Sequence, residues 1–445
     1  MEPEKSFFKT VWGLAIPITL QSILQASFSV VDQIMIGQLG SVQVAGVGLA
    51  GKFSSIFSVL VSAVAAVAGI MMAQYLGQRH RAAAPRAFLV NLIAAGITAA
   101  VFTTLCGFFP EHIMGIYTKD LLTRQAAASY LQILSISFLP MAGISLFSAL
   151  LRCLDKAAMP LYAGIAAALL NTGLNYILIF GKLGFAPMGA DGAAIATVLS
   201  QIVNFLLILL LYARCTDRLR YSEKTHSHVF DWRQYASMLL PILLCEWVWS
   251  LGENVYAAIY GRLGTDACAA MTLTNPIQAL MIGAMCGLSQ AAGVIIGKRL
   301  GTGEYETAYS AAKKLMWYGL GGSLLLSMFL LVLRGAYVEI YQVEPGVKVL
   351  TQQVLTAYAL IAPFKIQNMI LGGGILRSGG KTQYVMWIDL IGTWVFGVPL
   401  GLLAAFVCHL SIPYVYFILS LEECVRFCIS LVVLRKRKWM HQLET

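Results

Sequence analysis

The stretch VDQIMIGQLG at residues 31–40 recurs 224 residues later as VYAAIYGRLG at residues 255–264. The two copies share a valine, two glycines and a leucine at equal positions, and the same shift aligns further residues on both sides without a gap. An internal repeat of this length indicates a duplicated architecture. The identical pairs include Pro17 with Pro241, Gly37 with Gly261, Leu39 with Leu263, Gly40 with Gly264, and Gly77 with Gly301.

Composition assigns both copies to a membrane. Of the 445 residues, 58% are hydrophobic and only 12% are charged, about half the charged share of an average soluble domain. A soluble enzyme is thereby excluded, and the 9 Cys lack the paired spacing of a disulfide scaffold. Twelve apolar runs are each long enough to cross about 30 Å of hydrocarbon. They cover roughly residues 12–37, 44–73, 88–109, 124–150, 160–180, 190–213, 232–260, 267–297, 313–333, 350–375, 383–407 and 412–434.

These runs predict an all-α polytopic membrane protein with twelve transmembrane helices in two six-helix lobes. We place the N-terminal lobe at residues 1–215, a cytoplasmic interlobe linker at 216–231 and the C-terminal lobe at 232–445. Because six is an even number, both lobes have the same orientation and leave a central cleft between them. His226 and His228 lie in the linker without a Cys or further His nearby, which favours a solvated loop over a metal site.

The distribution of basic residues predicts the orientation. If the N-terminus lies inside, most of the 31 Lys and Arg residues fall on the cytoplasmic side, as the positive-inside rule requires. We therefore expect a plasma or inner membrane protein with both termini in the cytoplasm. The net charge of +10 follows from this topology and gives no reason to expect nucleic acid. The basic run Arg435–Lys438 is expected to meet anionic lipid headgroups.

Three motifs in register resemble the MATE (multidrug and toxic compound extrusion) family. They are VDQIMIGQLG after Pro17, NTGLNYILIFG (Asn171–Gly181) with GADGAAIAT (Gly189–Thr197), and GGGILRSGGKT (Gly372–Thr382). The resemblance covers essentially the whole chain, in order. It implies secondary active efflux of organic, often cationic, compounds in exchange for protons or sodium ions. Composition and periodicity alone support only a duplicated transporter.

Polar residues form one stripe on the first predicted helix. Gln21, Gln25, Ser29 and Asp32 follow one another at spacings of four, four and three, so they share one helix face and are expected to line a substrate cavity. A charge inside the bilayer costs about 2.5–3.5 kcal/mol, which makes Asp32 a functional candidate. The resemblance implies a role for Asp32 in cation coupling; the alternative is a carboxylate paired within the bundle. Lys52, at comparable depth, is expected to pair with Asp32 or to reach the outer headgroups.

The fifth predicted helix carries Asn171 and Asn175 one turn apart. In some relatives the position of Asn175 is an aspartate, so the amide here removes one candidate proton carrier. We expect the two asparagines to assist cation coupling, either by hydrogen bonding to Asp32 or by offering carbonyl oxygens to an ion. A simple interhelical hydrogen bond is the alternative.

The second lobe carries Glu246, Ser250 and Glu253 on one face of its first helix. Lys365 stands where the sodium-coupled branch of the resembled family has an acid, so that branch's pattern is not reproduced. We assign these four residues to the substrate cavity and predict that Glu253 pairs with Lys365. Glu246 would then remain available for a cationic substrate.

Intramembrane acids outnumber bases, which decides between the function classes. A flippase for lipid-linked oligosaccharide, the alternative function, needs Arg and Lys for pyrophosphate, whereas the acidic excess favours an antiporter for organic cations. Glu422 and Arg426 form an i, i+4 pair that we expect to be structural. No enzyme activity, cofactor or metal is expected; the coupling cation is H⁺ or Na⁺, and the protein is expected to be a monomer. The acids are Asp32, Glu246, Glu253, Asp389, Glu422 and Glu423, and the bases are Lys52, Lys365 and Arg426.

Overall fold

The computed structural model describes residues 4–78, 83–215, 219, 230–341 and 343–443, and within these ranges nearly every residue is helical. The α-helices are α1 (Glu4–Gly37), α2 (Ser41–Gly77), α3 (Ala83–Phe108), α4 (Pro110–Tyr117), α5 (Leu121–Leu134), α6 (Phe138–Cys153), α7 (Ala158–Phe180), α8 (Gly189–Ala213), α9 (Trp232–Arg262), α10 (Thr265–Gly301), α11 (Tyr305–Glu339), α12 (Pro345–Asn368), α13 (Gln383–Leu390), α14 (Val398–Leu402), α15 (Ile412–Ser420) and α16 (Glu422–Lys436). A 3-10 turn at Ser135–Ser137 joins α5 to α6, and π-helical segments occupy Met369–Leu376, Ile391–Gly397 and Leu403–Val407.

The helices confirm the predicted fold class. Eleven continuous helical runs in the described ranges are long and apolar enough to cross a membrane, and each coincides with a predicted run. The twelfth predicted run, 412–434, is interrupted at Leu421 between α15 and α16, and acidic and basic residues follow the break. Helices dominate because lipid offers no hydrogen bonds to the backbone, so each segment must satisfy its own. The short helix α4 was not predicted.

The described residues pack into two units. Unit 1 consists of the described parts of 1–19, 73–79 and 231–444, and unit 2 of those of 20–72 and 80–230. The predicted lobe boundaries stay a prediction, because the linker at 216–231, with His226 and His228, lies almost entirely outside the described residues.

Contacts within unit 1 explain why it includes the end of α2. Gln74 is fully buried; its Nε2 donates to the Ser378 carbonyl at 2.7 Å, and its Oε1 accepts from the Leu443 backbone N–H at 2.7 Å. A side chain at Gly301, near the end of α10, would overlap the Gln74 carbonyl oxygen. The glycine therefore permits the close approach of α2 to α10.

Candidate functional site

Unit 2 contains a cavity of about 200 Å³ lined by α1, α7 and α8. All four residues of the predicted α1 stripe, Gln21, Gln25, Ser29 and Asp32, lie on its wall, as their spacing predicts. Asp32 is the only acidic residue in this lining. The cavity is therefore polar along α1 and carries one carboxylate.

Two asparagines of α7 hold the Asp32 carboxylate. Asn175 Nδ2 donates to Asp32 Oδ1 at 2.7 Å. With its amide nitrogen towards α1, Asn171 donates to Asp32 Oδ1 and Oδ2 at 3.0 and 3.2 Å. An ionised Asp32 thus receives N–H donors from both predicted asparagines.

The Asn171 amide also fits the opposite orientation. Its Nδ2 then reaches Thr197 Oγ1 at 3.5 Å and Ser200 Oγ at 3.4 Å, and its Oδ1 faces the Asp32 carboxyl group. Amide oxygen and nitrogen are assigned from the hydrogen-bond network, so both orientations are available. In this second orientation Asn171 can accept a hydrogen bond from a protonated Asp32.

Helix α8 supplies cavity residues that the sequence analysis missed. The signal was present, because these residues follow the spacing of one helix face on an otherwise apolar helix. Asn204 is buried, and its Oδ1, like Gln21 Oε1, has no hydrogen-bond partner among the described residues. Such acceptors can receive N–H or O–H donors of a bound molecule. The missed residues are Thr197, Ser200, Gln201 and Asn204.

Of the two alternatives predicted for Lys52, the pair with Asp32 is not formed. The Lys52 side chain is exposed and lies outside the cavity lining, and within the described ranges the two residues form no ion pair. The prediction compared depths along two helices, whereas the direction of a side chain around its helix also decides whether it reaches a partner.

Unit 1 contains a second cavity, of about 270 Å³. Its lining combines three carboxylates, one lysine and three tyrosines. Of the four predicted residues, Glu253 and Lys365 line it, whereas Glu246 and Ser250 do not. The charged and aromatic lining residues are Glu253, Glu422, Glu423, Lys365, Tyr256, Tyr260 and Tyr416.

Glu246 is engaged elsewhere, which corrects its assignment as an available carboxylate. Its Oε1 lies 3.6 Å from Nη1 of Arg377. Ser250 is exposed, and its carbonyl oxygen accepts from Asn254. Glu246 and Glu253 are separated by about 10 Å along α9, so one helix face meets different surroundings at different depths.

We expect Glu246→Gln to lower the melting temperature, because it leaves the partly buried Arg377 without its carboxylate partner. The destabilisation should be about 1 kcal/mol, since both side chains are partly exposed. Binding of a monocationic dye and of a neutral compound of equal size should be equally affected. Glu253→Gln is the matched control. Because Glu253 lines the cavity, this variant should weaken binding of the cationic dye more than binding of the neutral compound. A selective loss in Glu246→Gln would contradict this assignment.

A buried ion-pair network supports the wall of the unit 1 cavity. Arg426 Nη1 lies 3.6 Å from Asp389 Oδ1, and its Nη2 lies 3.6 Å from Glu422 Oε1, which is the predicted i, i+4 pair. Tyr256 Oη donates to Glu422 Oε2 at 2.6 Å. The π-helical segment Ile391–Gly397 makes room for the network, because a side chain at Gly392 would overlap Arg426.

The predicted ion pair between Glu253 and Lys365 is not formed. Both residues line the unit 1 cavity, but within the described ranges no carboxylate oxygen lies within 4.0 Å of the Lys365 ammonium. The sequence could not give the separation between the two charged groups.

Comparisons with known proteins agree with this architecture. The family model described as MatE matches residues 17–177 and 241–403, two ranges that begin 224 residues apart, like the internal repeat. The chain is 22% identical over 444 residues to "Uncharacterized transporter YisQ" of Bacillus subtilis, covering 98% of this chain and 95% of that protein. It is 24% identical over 403 residues to "Multidrug resistance protein MdtK" of Edwardsiella ictaluri, covering 89% and 87%.

Solved structures share the fold. A MATE protein crystallised in complex with MaL6 matches with a TM-score of 0.88 at 18% identity, covering 96% of each chain. A mutant of the Vibrio cholerae MATE transporter VcmN matches with a TM-score of 0.86 at 17% identity, covering 98% of this chain and 99% of that one.

Proposed function

The chain belongs to the MatE family, and from this premise we propose that it is a secondary active antiporter that exports organic cations in exchange for inward proton flow. Members of this family are transporters, and the chain is a multi-pass membrane protein. The observation that carries the proposal is the single carboxylate of the unit 2 cavity, Asp32, held by two amides. We further propose a monomer in the inner membrane with its basic helix ends on the cytoplasmic side.

Asp32 is suited to take up and release a proton. The ionised form is satisfied by N–H donors from Asn175 and Asn171, and the protonated form can donate to Asn171 Oδ1 after the amide turns over. Both forms therefore have hydrogen-bond partners in the same place, and neither leaves a charge or a donor buried without compensation. A change of proton occupancy can then alter the packing of α1 against α7, which is the kind of two-state element that alternating access requires.

The charges of the cavities support organic cations as substrates. The lining of the unit 2 cavity carries one acid and no base, and that of the unit 1 cavity carries three acids and one base. In poorly solvated surroundings such an excess attracts cations and repels anions. The same excess disfavours the alternative, a flippase for lipid-linked oligosaccharide, because a pyrophosphate group needs basic residues. Relatives named multidrug resistance proteins are consistent with drug export.

Transport by the purified protein in liposomes tests the function. An imposed proton gradient should drive accumulation of a fluorescent cationic dye, and an imposed sodium gradient without a proton gradient should not. Dye movement under a sodium gradient alone would show that the coupling ion is sodium and not the proton. Failure of both gradients to drive any organic cation would contradict the antiporter.

A further inference from the structure

The lining of the unit 1 cavity contains one basic side chain, Lys365, together with three carboxylates. The three carboxylates that share this lining are Glu253, Glu422 and Glu423. Within the described ranges the Lys365 ammonium forms no ion pair within 4.0 Å and no hydrogen bond. The lysine is thus attracted by the acids without being locked to any one of them.

Two of the carboxylates, in contrast, are held in place. Glu422 accepts from Tyr256 at 2.6 Å and lies 3.6 Å from Arg426. Glu423 Oε2 accepts from Asn368 Nδ2 at 2.8 Å. Both glutamates are nine-tenths buried. We call the three acids of this lining, of which Glu422 and Glu423 are fixed, the cage; Lys365 lines the same cavity on a flexible four-carbon stem.

We propose that Lys365 determines the specificity of this cavity as a tethered cation, which occupies the cage until the ammonium or phosphonium group of an organic substrate displaces it. The inference rests on the proposed export of organic cations. It places their binding in the unit 1 cavity, where they compete with the Lys365 ammonium. The carboxylates supply the charge, and Tyr256, Tyr260 and Tyr416 supply aromatic faces that attract a cation with an apolar body. A cation with such a body gains aromatic contacts that the lysine stem does not replace.

The formal charge of the cavity lining depends on whether the Lys365 ammonium is counted with it. The lining carries a formal charge of −2 with the lysine and −3 without it. Lys365 therefore lowers the affinity for every monovalent cation, and only a ligand with additional aromatic contacts competes well. A small inorganic cation gains too little to displace it.

Binding of tetraphenylphosphonium to the purified protein tests the proposal. Lys365→Met keeps a long apolar stem and removes the charge, so it should tighten binding of this cation about 10-fold. Lys365→Arg keeps the charge and should bind like the wild type. Neutral triphenylphosphine oxide should bind all three proteins equally. Unchanged or weaker tetraphenylphosphonium binding in a folded Lys365→Met protein would overturn the proposal.

If the single variant Lys365→Met does not fold, a second pair of variants tests the same proposal. The double variant Lys365→Met with Glu423→Gln has the same formal lining charge as the wild type, and it should bind tetraphenylphosphonium more tightly than Glu423→Gln alone. Equal binding would overturn the proposal. Export of tetraphenylphosphonium by the wild type in liposomes is measured separately. If the wild type exports the cation but neither comparison shows tighter binding, the proposed role of Lys365 is wrong and the proposed antiporter is unaffected. If binding is tighter but the wild type does not export the cation, the proposed role of Lys365 stands and the proposed antiporter is wrong.

Discussion

Asp32→Asn should abolish proton-driven export of a cationic dye, with a loss of at least about 100-fold in the initial rate. Asp32 is the only acid that lines the unit 2 cavity, and an amide in its place has no proton to exchange while keeping the size of the side chain. Asn175 and Asn171 can still hydrogen bond to it, so the protein should fold and bind the dye. The rate is measured in liposomes under an imposed proton gradient, and binding is measured without one.

Asp191→Asn is the matched control. Asp191 lies in the first turn of α8 in the same unit, accepts from Ser129 Oγ at 2.8 Å and does not line the cavity. Its variant should retain export close to that of the wild type. Wild-type export in Asp32→Asn, or an equal loss in both variants, would remove Asp32 as the coupling residue.

Arg426→Met should cause the largest loss of stability, about 3–5 kcal/mol. Arg426 is 7% exposed and is the counter-charge of both Asp389 and Glu422. Removing it leaves two carboxylates without this counter-charge in a poorly solvated site. The measurement is thermal unfolding of the purified protein in detergent.

Arg124→Gln provides the comparison for this variant. Arg124 also forms an ion pair, with Glu111 at 3.4 Å, but both side chains are exposed, so its loss should cost less than about 1 kcal/mol. Adding Glu422→Gln to Arg426→Met should restore part of the stability by removing one uncompensated charge. Equal melting of Arg426→Met and Arg124→Gln would show that the buried network is not a stabilising element.

The transmembrane helices and the duplication follow from the sequence alone. A long apolar run in lipid has to satisfy its own backbone hydrogen bonds, so hydropathy predicts each helix without knowledge of its neighbours. The polar stripe from Gln21 to Asp32 was predictable for the same reason, because one helix face is a property of spacing within one segment. The α8 stripe from Thr197 to Asn204 carried the same signal and was overlooked.

Partners between helices were decided by the tertiary structure. A pair of Lys52 with Asp32 was one of two alternatives, and Lys52 is exposed. Glu246 was expected in a cavity and lies at Arg377. In both cases the sequence gives the height of a residue in its helix, but the rotation of that helix against its neighbours depends on packing with segments distant in sequence. Asn175 does donate to Asp32, which was one of the alternatives that its amide allowed.

The network around Arg426 shows most clearly what packing adds. Its i, i+4 partner Glu422 could be predicted from one helix, whereas Asp389 reaches it from α13, a segment distant in sequence. Gly392, in the π-helical segment Ile391–Gly397, gives Arg426 the space it needs. Local hydrogen bonding and hydropathy thus determine which segments are helices. The close contacts between helices determine which of their few charged groups form ion pairs and which line a cavity.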